Sequence, residues 1–438
     1  TRIKEIGENF AVTEPGVYYR DIEKETLKKN LLLPSYPASR EICTVGGMAA
    51  NNSGGEKSLT YGQTKNYIEE LKVVLSDGNE YTIKPLSKKE LAQKIKGKTF
   101  EAKLYRDIYK LIEKNYTLIQ KAKPNVSKNS SGYYLWDVWD KETFDLTKLF
   151  AGSQGTLGII TEIRYRLIQP KKYSRLLVLF LKEKDVRQLG LLINTVLKHK
   201  PESFESNDDN ALKLALRYLP EMIKIMKPKN ALALGLQFLP ELWMTLTGGL
   251  PKLVLLAEFT GDDETVVREK ASKALADVKQ YAIPARITRT HEETQKYWVI
   301  RRESFNLLRH HVRGKHTAPF IDDIIVRPER LPEFLPRLNA ILERYNLTYT
   351  VAGHIGNGNF HIIPLMDVYA TTCSDIIEEL AKKVYNLVIE FKGSITAEHN
   401  DGIIRTPFLE AMYGKEVCGL FKETKDIFDP NYIFNPGK

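Results

Sequence analysis

Short apolar runs separated by turn residues dominate the first 170 residues of the chain. Strand and helix patterns can be told apart because side chains on one face recur at every second residue in a strand and about every 3.6 residues in a helix. An Asp-Gly turn between two alternating runs favours a β-hairpin. The predicted elements are an extended stretch (9–13), a helix ending near Asn30, a β-hairpin (68–75 and 80–83), helices (88–122) and a turn followed by a strand (149–167).

A Pro-Lys-Lys break at 170–172 predicts a boundary between two units of structure. Beyond it, strand and helix patterns alternate, which favours helices packed on a sheet in a second α+β unit. Residues 205–250 give no clear pattern. The predicted elements are strands (176–181, 253–259, 323–326 and 347–352) and helices (184–198, 262–281 and 331–345).

The composition is typical of a globular protein. A chain of 438 residues exceeds what one hydrophobic core usually serves, so we expect two or three packed units. Hydrophobic residues make up 42% and charged residues 27%, which argues against a disordered chain. The net charge of +10 favours anionic partners, but the basic residues are scattered among acidic ones without a nucleic-acid-binding motif. We therefore expect no nucleic-acid partner.

The three cysteines, Cys43, Cys373 and Cys418, are far apart and form no C-x-x-C pair. They cannot hold an iron–sulfur cluster, and they favour a reducing compartment. The N-terminal sequence contains no recognisable targeting peptide. These features predict a cytoplasmic protein.

One segment leaves a membrane contact open. The longest apolar stretch, 231–256, is interrupted by prolines and glycines, so a membrane-spanning helix is not expected. The basic, partly apolar segment 222–250 could rest on the inner face of a membrane as a peripheral contact. A helix packed inside the protein is the favoured interpretation.

Two glycine-framed motifs carry the candidate chemistry. His354 and His361 flank a glycine-rich turn that would let both imidazoles reach one point, and Glu398 precedes His399. Two histidines and one glutamate form an open site for a divalent metal, with positions left for water or an α-hydroxy acid. A lone histidine is usually structural, but these motifs hold three of the eight histidines. In a strand, Glu398 and His399 would face opposite sides, whereas in a turn His399 could serve as a base at the substrate.

Five segments together resemble one family of enzymes in chain order. They are similar to the FAD-linked D-lactate, glycolate and D-2-hydroxyglutarate dehydrogenases, which are flavoproteins of the vanillyl-alcohol-oxidase type. The segments are 44–55, 151–162, 353–361, 398–402 and 428–438.

The resemblance implies an α+β fold: the second half of a bipartite FAD-binding domain and a cap domain of antiparallel sheet and helices, the FAD-linked oxidase C-terminal domain. The implied boundaries are 1–170 for the FAD-binding domain, 171–394 for the substrate or cap domain and 395–438 for a segment that returns to the flavin. Relatives carry a further N-terminal half-domain with a glycine-rich loop for the FAD pyrophosphate. We expect either that this sequence is part of a longer chain or that a second polypeptide completes the domain.

The resemblance also assigns residues. The metal, zinc or manganese, is assigned to His354, His361 and Glu398, the proton-abstracting base is His399, and Arg301 binds the substrate carboxylate. A solvated helix charge is the alternative for Arg301, and tight packing or a turn is the alternative for any single glycine. The residues implied to bind FAD are Pro37, Thr44, Gly46, Gly47, Asn51, Gly152, Ser153, Gly155, Thr156, Ile160 and Asn435.

The implied activity is oxidation of a small D-2-hydroxy acid, with hydride transfer to flavin N5. A quinone, a cytochrome, an electron-transfer flavoprotein or an iron–sulfur subunit would then accept the electrons. Phe320 lies near the position where D-2-hydroxyglutarate enzymes have a lysine for a second carboxylate, which disfavours that substrate. Gln154 and Asn400 replace the usual Glu and Gly, and Asn400 tolerates a positive φ. The alternatives are a flavoenzyme of the same fold with other chemistry, such as alkyl-dihydroxyacetone-phosphate synthesis, or a non-catalytic remnant.

Overall fold

A computed structural model describes residues 1–209, 249–311, 316–345, 347–367 and 369–437. The chain forms two compact units. The first unit contains residues 1–170 and 392–438, and the second contains residues 171–391. Most of the segment 222–250, considered above for a membrane contact, lies outside the described residues.

The first unit contains a five-stranded antiparallel sheet in the order β1-β2-β7-β3-β4. The predicted hairpin is confirmed, because Leu71 pairs with Ile83 and Val74 with Glu80 across its two strands. A separate two-stranded sheet joins β5 and β6. The strands are β1 (Ile3–Ile6), β2 (Phe10–Thr13), β3 (Ile68–Val74), β4 (Glu80–Ile83), β5 (Leu86–Ser87), β6 (Thr143–Phe144) and β7 (Ile159–Arg166).

Seven helices accompany this sheet in the first 170 residues. The longest, α5, buries Leu104, Ile108 and Leu111, whose helical spacing places them on one face. Ser87 begins α4 with a capping box, in which its side chain and that of Glu90 bind each other's backbone. The helices are α1 (Tyr19–Leu27), α2 (Val45–Asn51), α3 (Ser58–Tyr61), α4 (Lys88–Lys94), α5 (Phe100–Lys114), α6 (Tyr116–Ala122) and α7 (Thr147–Phe150).

The second unit contains two sheets among its described residues. One has the order β11-β8-β10-β9, and in the other β15 pairs with β12, β13 and β14. All of these pairings are antiparallel, as expected for the cap domain. The strands are β8 (Tyr173–Leu181), β9 (Ser203–Asp208), β10 (Leu253–Gly261), β11 (Ala285–Ile287), β12 (His316–Thr317), β13 (Ile324–Ile325), β14 (Thr348–Ala352) and β15 (Asn359–Met366).

Helices cover these sheets, and the alternation predicted from the sequence is confirmed for each of the seven elements named above. The segment 184–198 differs in detail, because its first turns form a 3₁₀ helix over Glu183–Gln188. Strands β9, β11, β12 and β15 of this unit were not predicted. The helices are α8 (Leu189–Leu197), α9 (Glu264–Val278), α10 (His291–His311), α11 (Leu331–Leu342) and α12 (Cys373–Glu390).

The last 47 residues, 392–438, belong to the first unit. They contain helix α13 (Gly402–Arg405) and helix α14 (Leu409–Phe428), which is kinked at Gly414. Phe428 at the end of α14 packs edge-on against Phe150, with 5.5 Å between ring centroids. Among the described helices of the chain, none combines the length and apolar character that crossing a membrane requires.

Candidate cofactor and metal-binding residues

The glycine-framed turn brings two histidines together in the second unit. Gly353 lies so close to the backbone of Asn359 that a Cβ atom would overlap its carbonyl oxygen, and Gly358 has a φ of +74°. Both positions therefore require glycine, which lets the chain reverse between β14 and β15. The imidazole rings of His354 and His361 lie 5.4 Å apart between centroids.

Each of these imidazoles contacts a carboxylate through the same ring atom. Nδ1 of His354 lies 2.8 Å from Glu205 Oε1, and Nδ1 of His361 lies 2.8 Å from Asp322 Oδ1. A carboxylate accepts the proton of Nδ1 and so leaves the lone pair on Nε2, the atom through which such a histidine binds a metal. The Nε2 atoms of His354 and His361 are therefore suited to bind a divalent ion.

Glu205 also pairs with Arg301, the residue expected to bind a substrate carboxylate. The side chain of Arg301 is only 7% exposed, so it is not the solvated helix charge considered as the alternative. Strand β9 carries Glu205, and the backbone N–H of Ser206 donates to the carbonyl of Gly353 at 3.0 Å. This bond places Glu205 beside the glycine-framed turn that carries His354 and His361.

Glu398 and His399 lie in a bend of the first unit rather than in a strand. Glu398 is buried, and its Oε1 accepts a hydrogen bond from Lys128 Nζ at 2.6 Å. His399 is exposed. The next residue, Asn400, has a φ of 62°, which confirms the positive φ expected there. The bend removes the constraint that would direct neighbouring side chains to opposite sides.

Helix α2 and a glycine turn bring together the residues expected to bind FAD. Thr44 caps α2, because its side chain accepts a hydrogen bond from the backbone of Gly47 at 3.1 Å. The backbone N–H of Gly152 donates to the carbonyl of Ala49 at 3.0 Å. The turn that begins at Gly152 therefore lies against the end of α2.

Backbone conformation and packing explain three of the glycines. Gly152 and Gly155 have φ angles of +81° and +71°, which other residues rarely adopt. Gly46 has a different reason, because a Cβ atom there would overlap Pro15. A turn therefore explains Gly152 and Gly155, and tight packing explains Gly46. Neither explanation conflicts with binding of a cofactor against the same backbone.

Asparagine side chains join the C-terminal segment to both motifs. Asn51 Nδ2 donates to the carbonyl of Glu398 at 2.6 Å, and Asn400 Nδ2 lies 3.1 Å from Asn51 Oδ1. Asn435 Nδ2 donates to the carbonyl of Gln154 at 2.6 Å. The segments 44–51, 152–156, 398–400 and the chain end therefore meet in the first unit.

The remaining residues assigned to FAD have structural contacts of their own. Pro37 lies in a loop, and Ile160 lies in β7. Ser153 Oγ donates to the carbonyl of Phe150 at 2.9 Å, and Thr156 Oγ1 donates to that of Ser153 at 2.7 Å. Their contact with FAD stays a prediction.

Sequence reasoning missed three charged residues: Glu205, Asp322 and Lys128. Each contacts a predicted site residue that is distant in sequence: the separations are 149, 39 and 270 residues, respectively. No local spacing marks such pairs. The one available signal was chemical, since a buried metal-binding histidine generally needs an acceptor for its other nitrogen.

Comparison with protein families identifies the class. Residues 173–438 match the family described as FAD linked oxidases, C-terminal domain, and residues 1–84 match a FAD binding domain. The first match covers more than half of the chain. The chain therefore belongs to the FAD-linked oxidase family, as the resemblance predicted, and the second match supports FAD as its cofactor.

Curated relatives include three named enzymes. The chain is 28% identical over 435 residues to the glycolate oxidase subunit GlcD of Bacillus subtilis, covering 98% of this chain and 75% of the relative. It is 26% identical to the D-lactate dehydrogenase of Archaeoglobus fulgidus, covering 98% and 76%. It is also 26% identical to the D-2-hydroxyglutarate dehydrogenase of Escherichia coli, covering 90% of this chain but 38% of that relative.

Solved structures confirm the fold. An alkyldihydroxyacetonephosphate synthase matches with a TM-score of 0.61 over 100% of this chain and 65% of that one, at 15% identity. A 4-ethylphenol oxidase from Gulosibacter chungangensis also gives 0.61, covering 78% of that chain, and p-cresol methylhydroxylase gives 0.60, covering 76%. These likenesses establish a fold of the vanillyl-alcohol-oxidase type.

Proposed function

We propose that this protein oxidises a small D-2-hydroxy acid to the 2-oxo acid, using FAD and a divalent metal ion. The observation that carries the proposal is the pair of imidazoles at His354 and His361, each with a carboxylate at Nδ1. This is the arrangement that orients histidines as metal ligands. The relatives that act on glycolate, D-lactate and D-2-hydroxyglutarate, as their names state, support the substrate class.

The proposal assigns roles to residues of each unit. The second unit supplies His354 and His361 as metal ligands and Arg301 as the group that binds the acid. The first unit supplies Glu398 as the third ligand and His399 as the base. A planar guanidinium suits a carboxylate because it can donate two parallel hydrogen bonds.

The reaction removes a hydride from C2 and a proton from the hydroxyl group of the substrate, and each goes to a different acceptor. His399 takes the hydroxyl proton, and its exposure allows that proton to pass on to water. Bound FAD would supply a hydride acceptor, its N5 atom, for the hydrogen on C2. An ion held by His354, His361 and Glu398 would supply a Lewis acid that makes the substrate hydroxyl easier to deprotonate. Arg301 would hold the carboxylate, and this contact together with those to the hydroxyl and to the hydrogen on C2 would decide which enantiomer reacts.

Substrate size and the electron acceptor complete the proposal. Phe320 is 3% exposed. By the resemblance to D-2-hydroxyglutarate enzymes, it lies near the position of their lysine for a second carboxylate, and this favours a monocarboxylic acid such as D-lactate or glycolate. The reduced flavin would pass electrons to a quinone, a cytochrome, an electron-transfer flavoprotein or an iron–sulfur subunit.

Anaerobic flavin reduction tests this function. The FAD-loaded, metal-loaded protein is mixed with D-lactate, L-lactate or glycolate, and bleaching of the visible flavin absorbance is followed. We expect bleaching by the D-acid or glycolate, no bleaching by the L-acid, loss of bleaching with a chelator and recovery with zinc or manganese. Bleaching that is unaffected by the chelator would favour the alternative chemistry of the same fold.

Two neighbouring arginines give a matched pair of variants. Arg301→Gln should raise the KM for the acid by about 100-fold, because a charge-assisted contact to the carboxylate is lost. Arg302 lies over the ring of Trp298 at 5.5 Å, so Arg302→Gln removes the same charge from the same helix without touching the acid. Equal effects of the two variants would contradict the role of Arg301.

A further inference from the structure

Glu205 stands between two groups that have different roles in the proposed function. Its Oε1 lies 2.8 Å from Nδ1 of His354, and its Oε2 pairs with the guanidinium of Arg301. The side chain of Glu205 is 1% exposed, so these contacts replace hydration. All three residues lie in the second unit.

We propose that Glu205 is a positioning residue that couples metal binding to substrate binding. This inference rests on the proposed function, because it assigns Glu205 to the ligand His354 and to the substrate-binding Arg301. One oxygen fixes His354 with its proton on Nδ1 and its lone pair on Nε2. The other pairs with the guanidinium of Arg301, the group proposed to bind the carboxylate of the acid.

The chemistry requires a carboxylate at this position. Both partners are donors, so the bridging group must accept on each of two atoms. Glutamine has the same shape, but its amide nitrogen donates. It can therefore satisfy only one partner, and the other is left facing a donor. A single substitution of Glu205 should consequently weaken the binding of both the metal ion and the acid.

Asp322 provides the contrast that makes this proposal specific. It accepts from Nδ1 of His361 at 2.8 Å, as Glu205 does from His354. The guanidinium of Arg301 pairs with the carboxylate of Glu205. Asp322→Asn should therefore weaken metal binding, whereas a higher KM for the acid at saturating metal is the expected mark of Glu205→Gln.

The experiment compares three variants of the FAD-loaded protein: Glu205→Gln, Asp322→Asn and Glu202→Gln. Glu202 serves as the control, because it is a buried carboxylate next to the same strand whose Oε2 accepts from Thr260 Oγ1. Manganese affinity is measured by calorimetric titration of the apo-metal protein. The KM and kcat for the acid are then measured at saturating manganese.

We expect Glu205→Gln and Asp322→Asn to lose affinity for manganese by about 10- to 100-fold. Only Glu205→Gln should also raise the KM for the acid at saturating metal, by about tenfold or more, with a smaller change in kcat. The Glu202→Gln control should change neither quantity. A Glu205→Gln variant with wild-type manganese affinity, or one whose KM matches that of Asp322→Asn, would overturn the proposal.

A measurement on the wild-type protein covers a variant that fails to fold. Nitrogen-15 NMR of histidine-labelled, metal-free protein reports the tautomer of His354, and we expect the proton on Nδ1. A proton on Nε2 would overturn the inference. Failure of the proposed function gives a different result: the wild-type protein would then bind no manganese and show no flavin bleaching with any D-acid.

Discussion

Replacing Lys128 tests the electrostatics of the predicted glutamate ligand. The side chain of Lys128 is fully buried, that of Glu398 is 7% exposed, and their charged atoms lie 2.6 Å apart. Lys128→Met keeps most of the length and removes the ammonium, which leaves a buried carboxylate without its cation. Breaking a buried pair in this way costs about 3–5 kcal/mol in the free energy of unfolding.

The double variant Lys128→Met/Glu398→Gln separates the charge from the change of shape. With both charges gone, most of the lost stability should return, because no uncompensated charge is buried. The double-mutant cycle should then give a coupling energy of about 2–4 kcal/mol. Lys4→Met serves as a surface control: its pair with Glu162 is 41% exposed on the lysine side, so the expected cost is below about 1 kcal/mol.

Urea unfolding followed by circular dichroism measures these differences, with a chelator present so that no ion can replace the lysine. For a unit of 217 residues, the size of the first unit, a loss of 3–5 kcal/mol corresponds to a fall in melting temperature of about 6–20 °C. The reasoning is refuted if Lys128→Met costs no more than Lys4→Met. It is also refuted if the double variant loses the sum of the two single effects.

Three further changes test the first unit by urea unfolding. Gly46→Ala would drive a Cβ atom into Pro15 and should cost about 1–3 kcal/mol, and a neutral effect would show that the contact relaxes freely. Thr44→Ala removes the cap of α2 and should cost about 1 kcal/mol, whereas Thr44→Ser should retain most of it. Burial raises the pKa of Asp401 to about 6, since its Oδ1 is buried without a hydrogen bond among the described residues. The carboxyl therefore favours folding below pH 4, and this contribution is lost as the pH rises through 6, so Asp401→Asn should exceed the wild type in stability by up to about 3 kcal/mol at pH 8 and match it near pH 4. A pH-independent difference would contradict this assignment.

The parts of the fold that the sequence predicted are those with a periodic apolar pattern. Strand β8 is the clear case, because residues 176–181 are apolar and buried. Strand β9 escaped prediction because Ser203–Asp208 is almost entirely polar and yet wholly buried. Pairing with β10 provides hydrogen bonds for its backbone, and contacts such as that of Glu205 with His354 provide partners for some of its polar side chains. A pattern method that equates burial with apolar residues cannot find such a strand.

The residues of the candidate site were likewise predicted only in part. His354, His361 and Glu398 were predicted because their residue types can bind a metal and glycines frame two of them. Their partners were missed, since Lys128 and Glu205 become neighbours of these residues only after the chain has folded. Residue type identifies which groups can react, whereas tertiary contacts decide how each group is oriented.

The two buried charges beside the proposed metal ligands should act on ion affinity with opposite sign. Lys128 shares the carboxylate of Glu398, so a bound cation must compete with an ammonium already there. By Coulomb's law, two unit charges about 4 Å apart interact by about 4 kcal/mol in a protein environment of effective dielectric constant about 20. Lys128→Met should therefore tighten manganese binding by at least about tenfold even though it destabilises the metal-free fold, and Glu205→Gln should loosen it. If Lys128→Met instead weakens manganese binding in a calorimetric titration, the lysine serves the site by orienting Glu398, and that gain exceeds its repulsion of the ion.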